Sequence, residues 1–177
     1  MQDVKIRKLV FSALMAALCC AATMSIRIPT FATNGYVNAG DTIVLLSAWL
    51  IGGGYGALAA GTGSALSDLL SGYMHYVPGT FAIKLLMALA AWFVMKSLTS
   101  RKVPKAVSYI ASAVTAEAMM IVLYFLYQCI ILGYGLAASA SVPGNIAQGI
   151  TCSVIAIAIA GALASAKIPA RLMAGQH

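Results

Sequence analysis

The sequence predicts an all-α membrane protein with six transmembrane helices and both termini on the cytoplasmic side. Three observations carry that prediction. Hydrophobic residues fill 62% of the 177 positions and charged residues only 8%, with a mean hydropathy of +0.93, whereas a soluble domain carries roughly 25% charged residues because its surface faces water. Apolar runs near the ~20 residues that cross a bilayer recur between turn signals. Nine of the eleven Lys and Arg residues gather in three clusters that a six-span chain places on one face, with Arg27 on the opposite side and Lys84 within a span.

Lys5, Arg7 and Lys8 precede the first apolar run, which predicts a helix over 9–28 ending before Pro29. The pattern is leader-like, but no small-x-small cleavage site follows, so this segment is expected to remain as a first span with a cytoplasmic basic foot. Within it Ala13, Ala17 and Ala21 repeat at i, i+4 and i+8. Such small-residue stripes let helices approach closely in lipid, and by itself this one reads as packing against the chain's own helices.

A polar, aromatic connector follows and includes Asn38 and Asp41. Further spans are expected over 42–55, breaking at glycines 52–54, then 56–74, 80–96, 106–132 and 142–166. Residues 1–177 are expected to form a single integral membrane domain. Lys96, Arg101, Lys102 and Lys105 lie between the fourth and fifth spans, and Lys167 and Arg171 follow the sixth. Five or seven spans would put that last pair outside. The net charge of +7 is therefore mostly topology, and no nucleic-acid partner is implied. Cys19, Cys20, Cys129 and Cys152 sit in apolar runs without metal-ligand spacing, so buried cysteines are expected, with neither disulfide nor zinc.

Ionisable residues inside spans are costly and mark functional sites by default. Asp41 opens the second span, Asp68 lies near the outer end of the third, and Lys84 lies about one turn inside the fourth. Glu117 falls near the middle of the fifth. Tyr124 and Gln128 share one face of the fifth helix, as Asn145 and Gln148 do of the sixth. Tyr73, His75 and Tyr76 cap the third on the outside. Four or five helices thus aim polar and aromatic groups at one outward-facing cavity, a pattern that suits a small, flat, polar ligand. Plainer readings stand beside this: Lys84 paired with Asp68 or Asp41 to hold the bundle, tyrosines 124 and 127 in an interfacial belt, His75 in a surface loop, and Glu117 bonding between helices. There is no phosphate loop of the GxxxxGK[ST] type, no HExxH and no GxSxG, so no enzyme is expected, and no cofactor or metal.

Taken together, these features resemble the substrate-binding S-components of energy-coupling-factor (ECF) vitamin transporters over nearly the whole chain. The resemblance is carried by Ala13-x-x-x-Ala17, Tyr36-Val-Asn-Ala-Gly-Asp41, Ser67-Asp68-Leu-Leu-Ser-Gly-Tyr73, Pro78-Gly-Thr-Phe-Ala-Ile-Lys84 and Pro143-Gly-Asn145-Ile-Ala-Gln148. They are similar to the subgroup for riboflavin, hydroxymethylpyrimidine and pyridoxine. The resemblance implies that Ala13, Ala17 and Ala21 dock a transmembrane coupling subunit, that two ATPase subunits supply energy in trans, and that the loop between the first two helices is a lid. It implies ligand contacts at Asp41, Lys84, Tyr124, Asn145 and Gln148. Asn38, Asp68, Tyr73, His75 and Gln128 complete the candidate set.

The expected function is uptake of a small water-soluble vitamin across a prokaryotic plasma membrane. Pyridoxine or hydroxymethylpyrimidine is favoured, because Lys84 and the acids suit a compact ring and only Trp49 and Trp92 are available to a flavin; riboflavin or a queuosine precursor stays open. The alternatives are a self-sufficient ion-coupled carrier using Asp68, Lys84 and Glu117, or a structural membrane protein without a ligand.

Overall fold

The computed structural model describes residues 2–30 and 34–166; Lys167 and Arg171, assigned above to the third basic cluster, lie outside the described residues. Six helices carry the chain: α1 Gln2–Ser25, α2 Asp41–Leu50, α3 Gly53–Leu70, α4 Val77–Ser100, α5 Lys105–Leu126 and α6 Val142–Ser165. A two-stranded antiparallel sheet, β1 Arg27–Thr30 and β2 Gly35–Asn38, links α1 to α2, with Arg27 opposite Asn38 and Pro29 opposite Tyr36. A π-helical turn, Tyr127–Ile131, extends α5, and a 3-10 segment, Gly135–Ser141, leads into α6.

The first helix stops sooner than expected. Pro29 biases the residue before it towards extended backbone, and residues 27–30 pair with β2 instead of continuing the helix to 28. Pro29 lacks an N–H, which an edge strand tolerates. The connector is therefore a hairpin, not an irregular loop.

Helix α2 has ten residues, about 15 Å of rise against a hydrocarbon core of about 30 Å. It ends where Gly52 adopts φ +70°, and a side chain there would meet Trp92 as well. Among the described residues, four stretches are long and apolar enough to cross a membrane: Lys5–Ser25, Val77–Ser100, Lys105–Ile131 and Gly135–Ser165. α2 falls short by length, and α3, with 18 residues, is diluted by glycine and serine.

Small residues build the interior. Ala60, Ala91, Ala113, Ala116 and Ala156 are fully buried together with Val44, Leu45, Met87 and Met120, while Leu9, Phe93, Ile130 and Val154 point outward. That inversion suits lipid, where helices gain by close approach and not by hiding apolar side chains. Gly63 of α3 shows how close: a Cβ there would sit 2.4 Å from the Ala16 carbonyl oxygen of α1. Cys19 and Thr23, buried on the same side of α1, complete this seam. Ala13, Ala17 and Ala21 fall on the other side and are exposed, so they do not pack within the chain.

The C-terminal ends of α1 and α3, the N-terminal ends of α2, α4 and α6, and the π-helical turn all meet beneath the hairpin. The described basic residues Lys5, Arg7, Lys8, Arg101, Lys102 and Lys105 consequently lie at the opposite end of the bundle.

Candidate functional site

The cavity under the hairpin is organised by a buried ion pair. Asp41 is the first residue of α2, where the positive end of the helix dipole favours a carboxylate; it is fully buried and pairs with the Lys84 ammonium of α4. Its second oxygen accepts a hydrogen bond from Gln148 Nε2 at 2.5 Å. Gln148 Oε1 in turn accepts from the Asn38 backbone N–H at 2.7 Å, and Asn38 Oδ1 accepts from the Gly40 N–H at 2.8 Å. One network thus joins α4, α2, α6 and β2. The ammonium also lies 5.2 Å from the centroid of the Tyr124 ring, a cation–π contact, and Tyr124 donates to Thr80 Oγ1 at 3.0 Å.

A second set of bonds fixes the aromatic walls. Tyr36 on β2 donates to Asp68 Oδ1 at 2.5 Å. Burial, followed by the Asp68 charge, pushes the Tyr36 phenol well above the ordinary tyrosine range, so it remains a donor. Gln128, in the π-helical turn, donates to the Tyr76 hydroxyl at 3.2 Å and accepts from Ser141 at 2.6 Å. π-Helical turns often occur at functional sites; here the turn carries Gln128 inward in continuation of Tyr124.

Asn38, Asp68, Lys84, Tyr124, Gln128, Asn145 and Gln148 line this cavity. Asp41 stands behind it, reached through Lys84 and Gln148. Tyr73 and His75 are not among the lining residues: Tyr73 packs on Tyr36 with ring centroids 4.8 Å apart, and His75 on Tyr76 at 4.7 Å. They support the walls from the rim. Of the plainer pairings for Lys84, the one with Asp41 is formed. Tyr127 donates to the His75 carbonyl at 2.7 Å and lies outside the cavity.

Sequence reasoning missed Thr23, Ser64, Thr80 and Ser141 as lining residues, and placed Tyr36 and Tyr76 only in a motif and at a helix cap. Hydroxyls in apolar helices carry little signal, because they also bond back to their own backbone. Helical spacing does contain one clue: Thr80 lies four residues before Lys84, on the same face.

The cavity measures about 30 Å³, room for about two waters. Two buried oxygens at its margin, Thr23 Oγ1 and Asp68 Oδ2, have no hydrogen-bond partner among the described residues. With tyrosines on the walls and amide, ammonium and carboxylate groups between them, the site can stack a flat ring and bond to its edge. Glu117 lies elsewhere, on a groove between α5 and α6.

Residues 3–165 match the family model described as "ECF-type riboflavin transporter, S component". A solved structure, that of the S component of a bacterial ECF transporter, superposes with a TM-score of 0.68 at 21% identity, covering 91% of this chain and 97% of that one. At that identity it supports the fold. An uncharacterized protein in a gap 3' region of Pyrococcus woesei is 45% identical over 62 residues, which is 35% of this chain and 41% of the relative.

Proposed function

Because the chain belongs to the ECF-type riboflavin transporter S-component family, we propose that the cavity beneath the hairpin binds riboflavin for uptake across a prokaryotic plasma membrane. The observation that carries the proposal is the convergence of tyrosines 36, 76 and 124 with Lys84, Asn145 and Gln148 in one buried site. The expectation of a compact pyridine or pyrimidine rests on Lys84 and the acids and on the scarcity of tryptophan; the tyrosines supply aromatic walls without tryptophan. The ring edge of a flavin needs several donors and acceptors, and the amides of Asn38, Gln128, Asn145 and Gln148 provide both.

A cavity of about 30 Å³ is far below the ~300–1,000 Å³ of ligand pockets. Ligand entry therefore requires the hairpin to lift, breaking the Tyr36–Asp68 and Asn38–Gln148 bonds, and the hairpin serves as the lid. The smallness of the site also favours a second reading, a pyridoxine or hydroxymethylpyrimidine ligand, which would demand less opening.

In this reading residues 1–177 form one membrane domain in which α2 and α3 complete six crossings, and the basic end faces the cytoplasm. Ala13, Ala17 and Ala21 dock the transmembrane coupling subunit, and two ATPase subunits hydrolyse ATP in trans. The exposure of that stripe on α1 supports the docking role over internal packing. The site set is Asn38, Asp41, Asp68, Lys84, Tyr124, Gln128, Asn145 and Gln148, with Tyr73 and His75 supporting its walls.

The test is titration of the detergent-solubilised protein with riboflavin, following quenching of flavin fluorescence, with pyridoxine and hydroxymethylpyrimidine as competitors. Saturable quenching unaffected by the competitors establishes the flavin. Displacement by one of them moves the assignment to that ring. No quenching, with a compact ring binding calorimetrically, overturns riboflavin.

A further inference from the structure

The residues around the cavity beneath the hairpin divide by chemistry. Those on α1 and α3 are Thr23, Ser64 and Asp68, whose side chains offer oxygen alone. The side-chain nitrogens come from elsewhere: Asn38 on the hairpin, Lys84 on α4, Gln128 in the π-helical turn, and Asn145 and Gln148 on α6. Ser64 and Asp68 stand four residues apart on one face of α3, and Thr23 reaches the same cavity from the end of α1.

Asp68 is the under-used member of the oxygen half. An ionised carboxylate can accept about four hydrogen bonds, and this one, 3% exposed, accepts from Tyr36 through Oδ1. Lys84 is paired with Asp41. Thr80 lies close on α4, yet Oδ2 has no hydrogen-bond partner among the described residues, and neither has Thr23 Oγ1. Such acceptors are costly to bury unpaired. Their burial belongs to the closed state, in which the cavity measures about 30 Å³. The phenol that covers Asp68 is part of the hairpin, so the lift that admits a ring also uncovers the carboxylate.

The two halves suit different parts of a ligand. A ring edge that presents both donors and acceptors is matched by amides, which carry both. A carboxylate accepts only, so it calls for donors, and the hydroxyls beside it can both give and take. A chain of hydroxyl groups meets both requirements.

We propose, on the premise that a flavin-like ring binds in this cavity, that Thr23, Ser64 and Asp68 form a separate subsite for a hydroxylated side chain, with Asp68 the acceptor that selects it. The ring then lies against α4, the π-helical turn and α6, and the chain runs towards α1 and α3. The ligand class is a flat ring bearing several hydroxyl groups on a flexible arm. A bare ring leaves the Asp68 side unmatched.

The probes are riboflavin and lumiflavin, which has the same ring with a methyl group in place of the hydroxylated chain. Both are titrated by fluorescence quenching into the detergent-solubilised full-length protein. Wild type should bind riboflavin about ten-fold or more tightly than lumiflavin, as hydrogen bonds to a charged acceptor allow. Asp68→Asn has nearly the same shape and exchanges a charged acceptor for a neutral one. It should cut that preference about five-fold or more and leave lumiflavin binding near wild type. Equal wild-type affinities overturn the subsite while the flavin site stands, and so does a preference that survives Asp68→Asn. If Asp68→Asn binds neither flavin, Thr23→Val decides: it should narrow the preference too, and an undiminished one overturns the subsite. Wild-type protein that binds neither flavin overturns the riboflavin reading, and this inference with it.

Discussion

The Lys84 ammonium and the Asp41 carboxylate form an ion pair with 2% and 0% of their side-chain surface exposed. Removing one member of a buried pair leaves an uncompensated charge and costs about 3–5 kcal/mol, whereas replacing both by apolar residues is often neutral or better. Lys84→Met and Asp41→Leu should each lower the Tm of the detergent-solubilised protein steeply, and the double variant should recover most of the loss. All three should bind no vitamin. A double variant no more stable than the singles would mean that the pair is not the unit holding α2 to α4.

Asn145 lines the cavity without belonging to the Asp41 network, so its effect on affinity separates from its effect on folding. Asn145→Ala should weaken vitamin binding about ten-fold or more, the range for a buried hydrogen bond left unmade, with little change in the Tm of the ligand-free protein. Fluorescence titration beside a melting curve checks both.

Much of this site was legible in the sequence because a charged or amide side chain is costly in an apolar helix unless it turns inward to a polar partner. Asp68, Lys84, Tyr124, Gln128, Asn145 and Gln148 all face one cavity, as their helical spacing implied. The hairpin was not legible: two four-residue strands among proline, glycine and asparagine give no alternation long enough to read. Nor was the division of labour between Glu117 and its polar neighbours. Depth along a helix follows from counting residues, but which neighbour a face meets depends on packing rotations that hydropathy does not encode. The same limit hid the role of glycines 52–54 and 56, where the backbone reverses at Gly52 and Gly56 lies against the Ser47 carbonyl.

Tyr36 bonds Asp68 across the roof of the cavity at 2.5 Å and packs on Tyr73. Tyr36→Phe keeps the ring and loses the bond. The hairpin should then open more often, and vitamin dissociation should quicken about ten-fold or more, since a hydrogen bond to a charged group contributes about 1.5–3 kcal/mol. Stopped-flow fluorescence with excess competitor measures the rate. An unchanged dissociation rate would show that this bond does not limit lid opening.

Ala17 separates docking from binding. It is exposed on α1, and the inward side of that helix meets α3 through Ala16 and Gly63. Ala17→Trp adds bulk to the outward face alone, so vitamin binding and Tm should stay near wild type while uptake, in cells that also express the coupling and ATPase subunits, falls to background.

Gly63→Leu, on α3, acts on the opposite face of α1. Its Cβ would stand 2.4 Å from the Ala16 backbone oxygen and 2.8 Å from Cys19 Cβ, and neither atom is the free end of a flexible side chain. Helix α1 must shift, at the ~1–3 kcal/mol typical of overpacking, and Thr23 at the cavity margin shifts with it. Gly63→Leu should therefore lower Tm and weaken vitamin binding together, whereas Ala17→Trp leaves both unchanged. Were the two variants to give the same profile, the assignment of one α1 face to the interior and the other to a partner would fail.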